Sequence, residues 1–290
     1  MSFRLLRRLY NIRVVVMSNT DPFEVVESES IQGAVLEVVQ YAALKGSDDL
    51  DVAEKVFFAN QADIHLKMIR VKLDRSELQI EPGALYFMRG HLQLQSSVQG
   101  GIAQGLMRKF MTGETLFQSR IKGTGEIYLE PGFGHYLLVN IDNDALIFDK
   151  GVFHCATAHL EVSAKMQQNV SSTLFGGEGF FQTQVKGSGI VVLNSPVPVA
   201  ELLMYDLAAG EKLSVDGNFA LVRTASVSFH AEKSGKSLFQ SVTSGEGLLQ
   251  TFTGPGMVWI APTQGVYDKM KLSNSIANLS HSQGSMGTHT

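Results

Sequence analysis

A glutamate followed four residues later by a glutamine occurs three times, each time directly after a glycine: Glu114 and Gln118, Glu178 and Gln182, Glu246 and Gln250. Carboxylate oxygens drawn from three segments are the donor set of a hard cation. Convergence of these residues on a common axis would therefore make an oxygen-lined cation or small-ligand site. The plainer alternative is that each Glu and Gln satisfies backbone amides in its own turn, as turn-adjacent polar groups do.

Other chemistry-bearing residues are scattered. Of eight histidines, His154 and His159 with Glu161 lie closest in sequence. On a strand, positions an odd number apart point to opposite faces, so the two rings do not converge without a bulge. His91 and His159 occupy one repeat position, where Ser226 stands third, and zinc needs three or four converging ligands. Cys155, flanked by Val152, Phe153 and Ala156, reads as a small buried residue. There is no Gly-x-Ser-x-Gly elbow and no phosphate loop, because strand-like segments follow every Gly-x-Gly where a cradle needs a helix. The expectation is no catalytic residue, no metal centre and no cofactor.

The elements that carry these residues repeat. Gly113 to Ser119, Gly177 to Thr183 and Gly245 to Thr251 match, and each leads to a Gly-x-Gly: Gly123-Thr124-Gly125, Gly187-Ser188-Gly189 and Gly254-Pro255-Gly256. Apolar segments follow, Ile127 to Leu129, Val191 to Leu193 and Val258 to Ile260. Upstream, Leu78 and Ile80 before Gly83 match Leu146 and Phe148 before Gly151, and Leu213 and Val215 before Asn218. Gly and Asn both tolerate positive φ, so a shared turn explains Asn218. Leu92 and Leu94, Leu160 and Val162, and Val227 and Phe229 complete the pattern.

Short, Gly-bounded segments with period-two apolar residues are strands. The fold class is all-β: three tandem units of roughly 65 residues whose apolar faces must pack together, in a β-prism or double-stranded β-helix-like arrangement. The units span about 64–131, 135–195 and 199–262 of a single domain over 64–265. An extension over 21–63 precedes them. There Asp49 to Ala59 reads as a short Asp-capped helix, while Ser30 to Leu44 is apolar on too many faces to assign.

Composition fits a well-buried globular chain: 290 residues, 44% hydrophobic and 18% charged. A net charge of −4 leaves no surplus of Lys and Arg for non-specific nucleic-acid binding. One cysteine excludes an intramolecular disulfide and fits a reducing compartment. No apolar run approaches the roughly 18–20 residues that span a bilayer. Residues 1–20 are basic, with Arg4, Arg7, Arg8 and Arg13 among apolar residues, and read either as a targeting-like segment or as an over-extended start before Met17. Residues 266–290 read as a disordered Ser-, Asn- and Gly-rich tail.

The first unit departs from the repeat by a longer stretch before Gly113. The extra residues include Gly101, Ile102, Leu106, Met107, Arg108, Lys109, Phe110 and Met111. An exposed apolar loop with a basic pair suits a partner subunit or an anionic membrane surface; alternatively it folds back over the core.

Glu81-Pro82-Gly83-Ala84-Leu85-Tyr86-Phe87-Met88, the loop ending Leu106 to Glu114 and the recurring Gly-Glu-Gly-x-x-Gln resemble the mitochondrial biogenesis AIM-twenty-four family over roughly Val56 to Thr263. The resemblance implies a fold like the tryptophan RNA-binding attenuator protein. It also implies either a cytoplasmic protein of bacterial type or, if the basic segment is a transit peptide, a mitochondrial inner-membrane location. It brings no catalytic residues. The leading functional expectation is a non-enzymatic scaffold or binding protein that self-associates, with a membrane surface or protein partner. The alternative is a small-ligand or metal-binding protein, conceivably an enzyme. RNA binding by fold analogy stands third, since a fold does not fix a function.

Overall fold

The computed structural model describes residues 21–96, 119–149, 151–167, 180–233 and 248–271. They are mostly strand. A hairpin opens the chain, β1 (Phe23–Ile31) pairing with β2 (Ala34–Tyr41), and β2 continues onto β3 (Lys67–Ile80). Between them lies α1 (Leu50–Gln61), where the Asp49 side chain caps the first turn by accepting from the Val52 amide at 2.9 Å. Glu37 on β2 and Arg70 on β3 form a buried ion pair at 2.6 Å beside the hairpin.

Three strand sets follow. In the first, β5 (Ser119–Leu129) lies between β3 and β4 (Leu85–Ser96). In the second, β9 (Phe180–Ser195) pairs with β6 (His135–Phe148) on one side. On its other side are β7 (Phe153–Thr157) and β8 (Glu161–Gln167). The third set divides the same roles among shorter strands. There β15 (Gly256–Ile260) lies between β10 (Leu203–Leu207) and β12 (Ala220–Thr224), while β14 (Leu248–Thr253) lies between β11 (Lys212–Asp216) and β13 (Ser228–Lys233). Residues 264–271, largely within the tail read as disordered, are helical.

Local details recur with the pairing. Register shifts fall between Leu85 and Phe87, Phe153 and Cys155, and Ala220 and Val222. A second bulge sits where Arg75 and Asn143 adopt positive φ, 50° and 47°; Gly210, at φ 80°, is their counterpart. The hydroxyl within the Gly-x-Gly accepts the amide of the strained residue: Thr124 from Arg75 and Ser188 from Asn143, both at 2.9 Å. Pro255 has no hydroxyl, and the Gly210 amide bonds the Gly254 carbonyl instead. The glycines allow close backbone approach, since a Cβ on Gly123 would stand 2.0 Å from the His91 carbonyl oxygen.

One expectation is corrected here. Positive φ in the third set's turn belongs to Gly217 at 113°, as it does to Gly83 and Gly151 in theirs, and not to Asn218. The glycine is displaced by one position, which frees the Asn218 side chain for another task.

Two ladders join the sets. Leu78, Gln79 and Ile80 of β3 pair with Thr157, Ala156 and Cys155 of β7, and Leu146, Ile147 and Phe148 of β6 pair with Thr224, Arg223 and Val222 of β12. The large sheet is open, in the order β1-β2-β3-β7-β9-β6-β12-β15-β10, and among the described residues no ladder joins the first set to the third. Each seam is sealed by core. One cluster joins Ile69, Leu78, Ile121 and Ile127 to Cys155 and Ile190; the next joins Phe148 and Val185 to Val222 and Trp259.

Candidate functional site

Two groups of buried polar residues lie along these two seams. At the second, Asp149 leaves the end of β6, Gln182 sits on β9, Arg223 on β12 and Gln250 on β14. Gln182 donates to Asp149 Oδ1 at 2.8 Å and accepts from the Arg223 guanidinium at 3.1 Å. Asn218 bonds the same Asp149 carboxyl and accepts from Gln250 at 3.0 Å. Five side chains thus form one connected path across the second and third sets.

The electrostatics follow from burial. Desolvation raises the Asp149 carboxyl above its ordinary range, against the opposing hydrogen bonds of Gln182 and Asn218 and the charge of Arg223. Burial lowers the Arg223 guanidinium to about 10, with Asp149 pulling the other way, so it remains a cation at neutral pH. Arg223 also lies 5.3 Å over the Phe229 ring and donates to the Val227 carbonyl at 3.4 Å; its Nε has no partner among the described residues. A cleft of about 370 Å³, lined by Asp149, Val152, Asn194, Asn218, Ala220 and Gln264, opens beside this path.

The first seam holds a different set. Gln79, 1% exposed, donates to the carbonyls of Thr157 and Leu160, and Arg120 donates to its oxygen. His154 lies behind it on β7, its ring 5.1 Å from that of Tyr136 and its Nε2 unpartnered among the described residues. Burial lowers its pKa to about 4 and raises that of Glu81, which lines a cleft of about 420 Å³ with His154, Glu130 and Asn194. Neutral amides and buried ions held this way can recognise a polar group.

The residues singled out from sequence fall as follows. Gln182 and Gln250 belong to one path, bonded to side chains of other segments. Glu114, Glu178, Glu246 and Gln118 lie outside the described residues, as do Gly101, Ile102, Leu106, Met107, Arg108, Lys109, Phe110 and Met111. His154 is buried and His159 exposed in the turn before β8, and among the described residues no three His, Cys, Asp or Glu side chains are placed to hold a metal ion. Cys155 is fully buried, and desolvation raises its thiol far above the ordinary range. Sequence reasoning missed Gln79, Asp149 and Arg223. Their one signal is a strongly polar residue inside or at the end of an otherwise apolar strand.

The sequence pattern of the mitochondrial biogenesis AIM24 family matches residues 58–263. The chain belongs to that family. Both seams lie within the AIM24 region. An uncharacterized protein of Streptococcus pyogenes serotype M6 is 21% identical over 222 residues, covering 72% of this chain and 86% of that one. The crystal structure of protein SPYM3_0169 from Streptococcus pyogenes superposes with a TM-score of 0.54 at 18% identity, over 67% of this chain and 88% of that one. At that identity the likeness is one of fold. This AIM24 chain shows, among its described residues, no helix long and apolar enough to cross a membrane.

Proposed function

We propose that this AIM24 chain is a non-enzymatic scaffold or binding protein, built of three copies of one β unit side by side in a TRAP-like arrangement, that works by self-association. The observation that carries this is a set of large apolar side chains left in solvent on regular elements: Tyr86, Phe87 and Met88 on β4, Leu203, Met204 and Tyr205 on β10, and Phe57 and Phe58 on α1. Exposed apolar side chains grouped on regular elements mark candidate sites of association. The bulges repeated at matching places support the three-unit reading. A cytoplasmic location fits one buried thiol and no disulfide. The stretch from Gly101 to Met111 adds a membrane-surface or partner contact to this reading. Liposome co-sedimentation of wild type against a Leu106→Asp, Phe110→Asp double variant tests it, with loss of binding expected.

Native mass spectrometry of the full chain, with metal analysis of the same sample, tests the scaffold reading. A defined oligomer without stoichiometric metal or small molecule is expected. A monomer at every concentration overturns self-association, and a retained ligand transfers the proposal to a second reading. In that reading a small polar molecule sits in the cleft beside Asp149 and Asn218, which the connected side-chain path favours.

A further inference from the structure

Each seam between units is a ladder of one kind. The end of a unit's first strand lies against the short strand after the next unit's turn, antiparallel and in the same register. In the first seam Gln79 faces Ala156; in the second Ile147 faces Arg223. The hydrogen-bonding parity is also shared, because the Glu81 amide donates to the His154 carbonyl and the Ala225 amide to the Ala145 carbonyl. Residues 79 and 147 therefore turn their backbone groups toward the seam.

Three units in a row use two such seams and leave one half-seam at each end. At the front, Phe87, Met88 and Arg89 of β4 hold the positions that Cys155, Ala156 and Thr157 hold in β7 and Val222, Arg223 and Thr224 hold in β12, with the same bulge just before them. The six seam residues are buried, whereas Phe87 is 44% and Met88 36% exposed. At the rear, Leu213, Ser214 and Val215 of β11 hold the positions of Leu78 to Ile80 and Leu146 to Phe148. Among the described residues β11 is paired on one side only, with β14, and Ser214 is exposed. By the shared parity, the outward edge of β11 presents the backbone groups of Lys212, Ser214 and Asp216.

We infer that copies of this chain join head to tail, the outer edge of β11 in one copy adding as a strand to the outer edge of β4 in the next, with Ser214 opposite Met88, Val215 opposite Phe87 and Leu213 opposite Arg89. This rests on the self-association and three-unit reading above and specifies its interface. The two edges are different surfaces of one chain, so the contact is heterologous and generates a closed ring or an extended filament. Main-chain hydrogen bonds supply the affinity, as in strand addition generally. The facing side chains set no like charges against each other. Unpaired edges invite such pairing unless something blunts them.

The test uses the full chain. Met88→Cys and Ser214→Cys are prepared as separate proteins; the native Cys155 is fully buried and does not compete. Opposed residues of a hydrogen-bonded antiparallel pair sit about 5.5 Å apart at Cα, within reach of a disulfide. Oxidising the mixture should yield a covalent pair of chains, and oxidising either protein alone should not. In parallel, sedimentation velocity compares wild type with Met88→Lys and Ser214→Pro, the second removing an outward amide. Both variants should remain folded and shift assembly to at least tenfold higher concentration. Two results would overturn the interface while leaving self-association in place: an oligomer that survives both substitutions, or cross-linking of Met88→Cys with itself. A wild-type monomer would overturn both, and would point to a segment of the chain's own covering these edges.

Discussion

The side-chain amide of Gln79 donates to two carbonyls at once, Thr157 at 3.2 Å and Leu160 at 2.7 Å, so one residue of β3 fastens both the end of β7 and the turn leading into β8. The Thr157 carbonyl also accepts the Leu160 amide at 3.2 Å, so Gln79 is its second donor. Replacing Gln79 with Ala should lower stability by about 1–3 kcal/mol, the cost of removing a buried donor from both carbonyls. Urea unfolding of the two proteins reads this, and an unchanged midpoint would show that water substitutes for the amide.

At the second seam, Gln182 stands between Asp149 and Arg223 and bonds both. Gln182→Ala and Arg223→Met act on the same path, so their effects should not add. A double-mutant cycle should show the double variant less destabilised than the sum by about 1 kcal/mol. Additivity would mean that the contacts along the path act independently.

His154 gives the fold a pH dependence. Burial lowers its pKa to about 4, while the unfolded chain titrates near the ordinary value of about 6.5. Between those values the unfolded state binds the extra proton, so stability rises with pH across the window and is fully regained above it. Acidifying from neutrality to pH 4 should therefore cost about 2–3 kcal/mol from this residue. A His154→Phe variant, its ring kept against Tyr136, should lose that slope. The neighbouring Glu81, raised by its own burial, contributes the opposite sign from the ordinary glutamate range upward, so the two slopes partly offset.

Two glycines of positive φ separate backbone strain from steric exclusion. Gly83, at φ 90°, has open space where a Cβ would go, while Gly123, at 138°, has the His91 carbonyl oxygen at 2.0 Å. Gly83→Ala should cost about 1 kcal/mol of strain, and Gly123→Ala several times more because two strands must part. Thermal unfolding that ranks them the other way would reject the close approach as the reason for the Gly-x-Gly.

Strands of the repeat pattern were legible where one face is wet. The alternation around Leu92 and Leu160 marks such segments, and the Asp49 cap marked the helix. The β1–β2 hairpin was not legible, because β2 is buried on both faces and shows no alternation across Ala34 to Val39. The same limit applies to the candidate site. Gln182 and Gln250 stood out because they repeat, but Asp149 and Arg223 meet through a ladder between residues far apart in sequence, and nothing local announces that pairing. Asn218 was noticed for the wrong property: its side-chain amide matters, and its backbone does not take the left-handed turn.

The division of the third strand set into short strands has a dynamic consequence. In the second set β9 runs unbroken through both halves, so no half can open without disturbing a strand shared by the other. In the third, β14 and β15 are separate strands, and among the described residues the sheet β11-β14-β13 shares no ladder with the large one; apolar packing around Leu207, Val215, Phe229, Phe252 and Val258, the Gln250–Asn218 hydrogen bond and Arg223 over the Phe229 ring hold it there. Its amide protons can exchange through an opening that leaves every other ladder intact, making this sheet a separate cooperative unit at the low end of the molecule's protection. Hydrogen exchange in this sheet should therefore run ahead of the large one, next to an edge of β11 that is unpaired among the described residues.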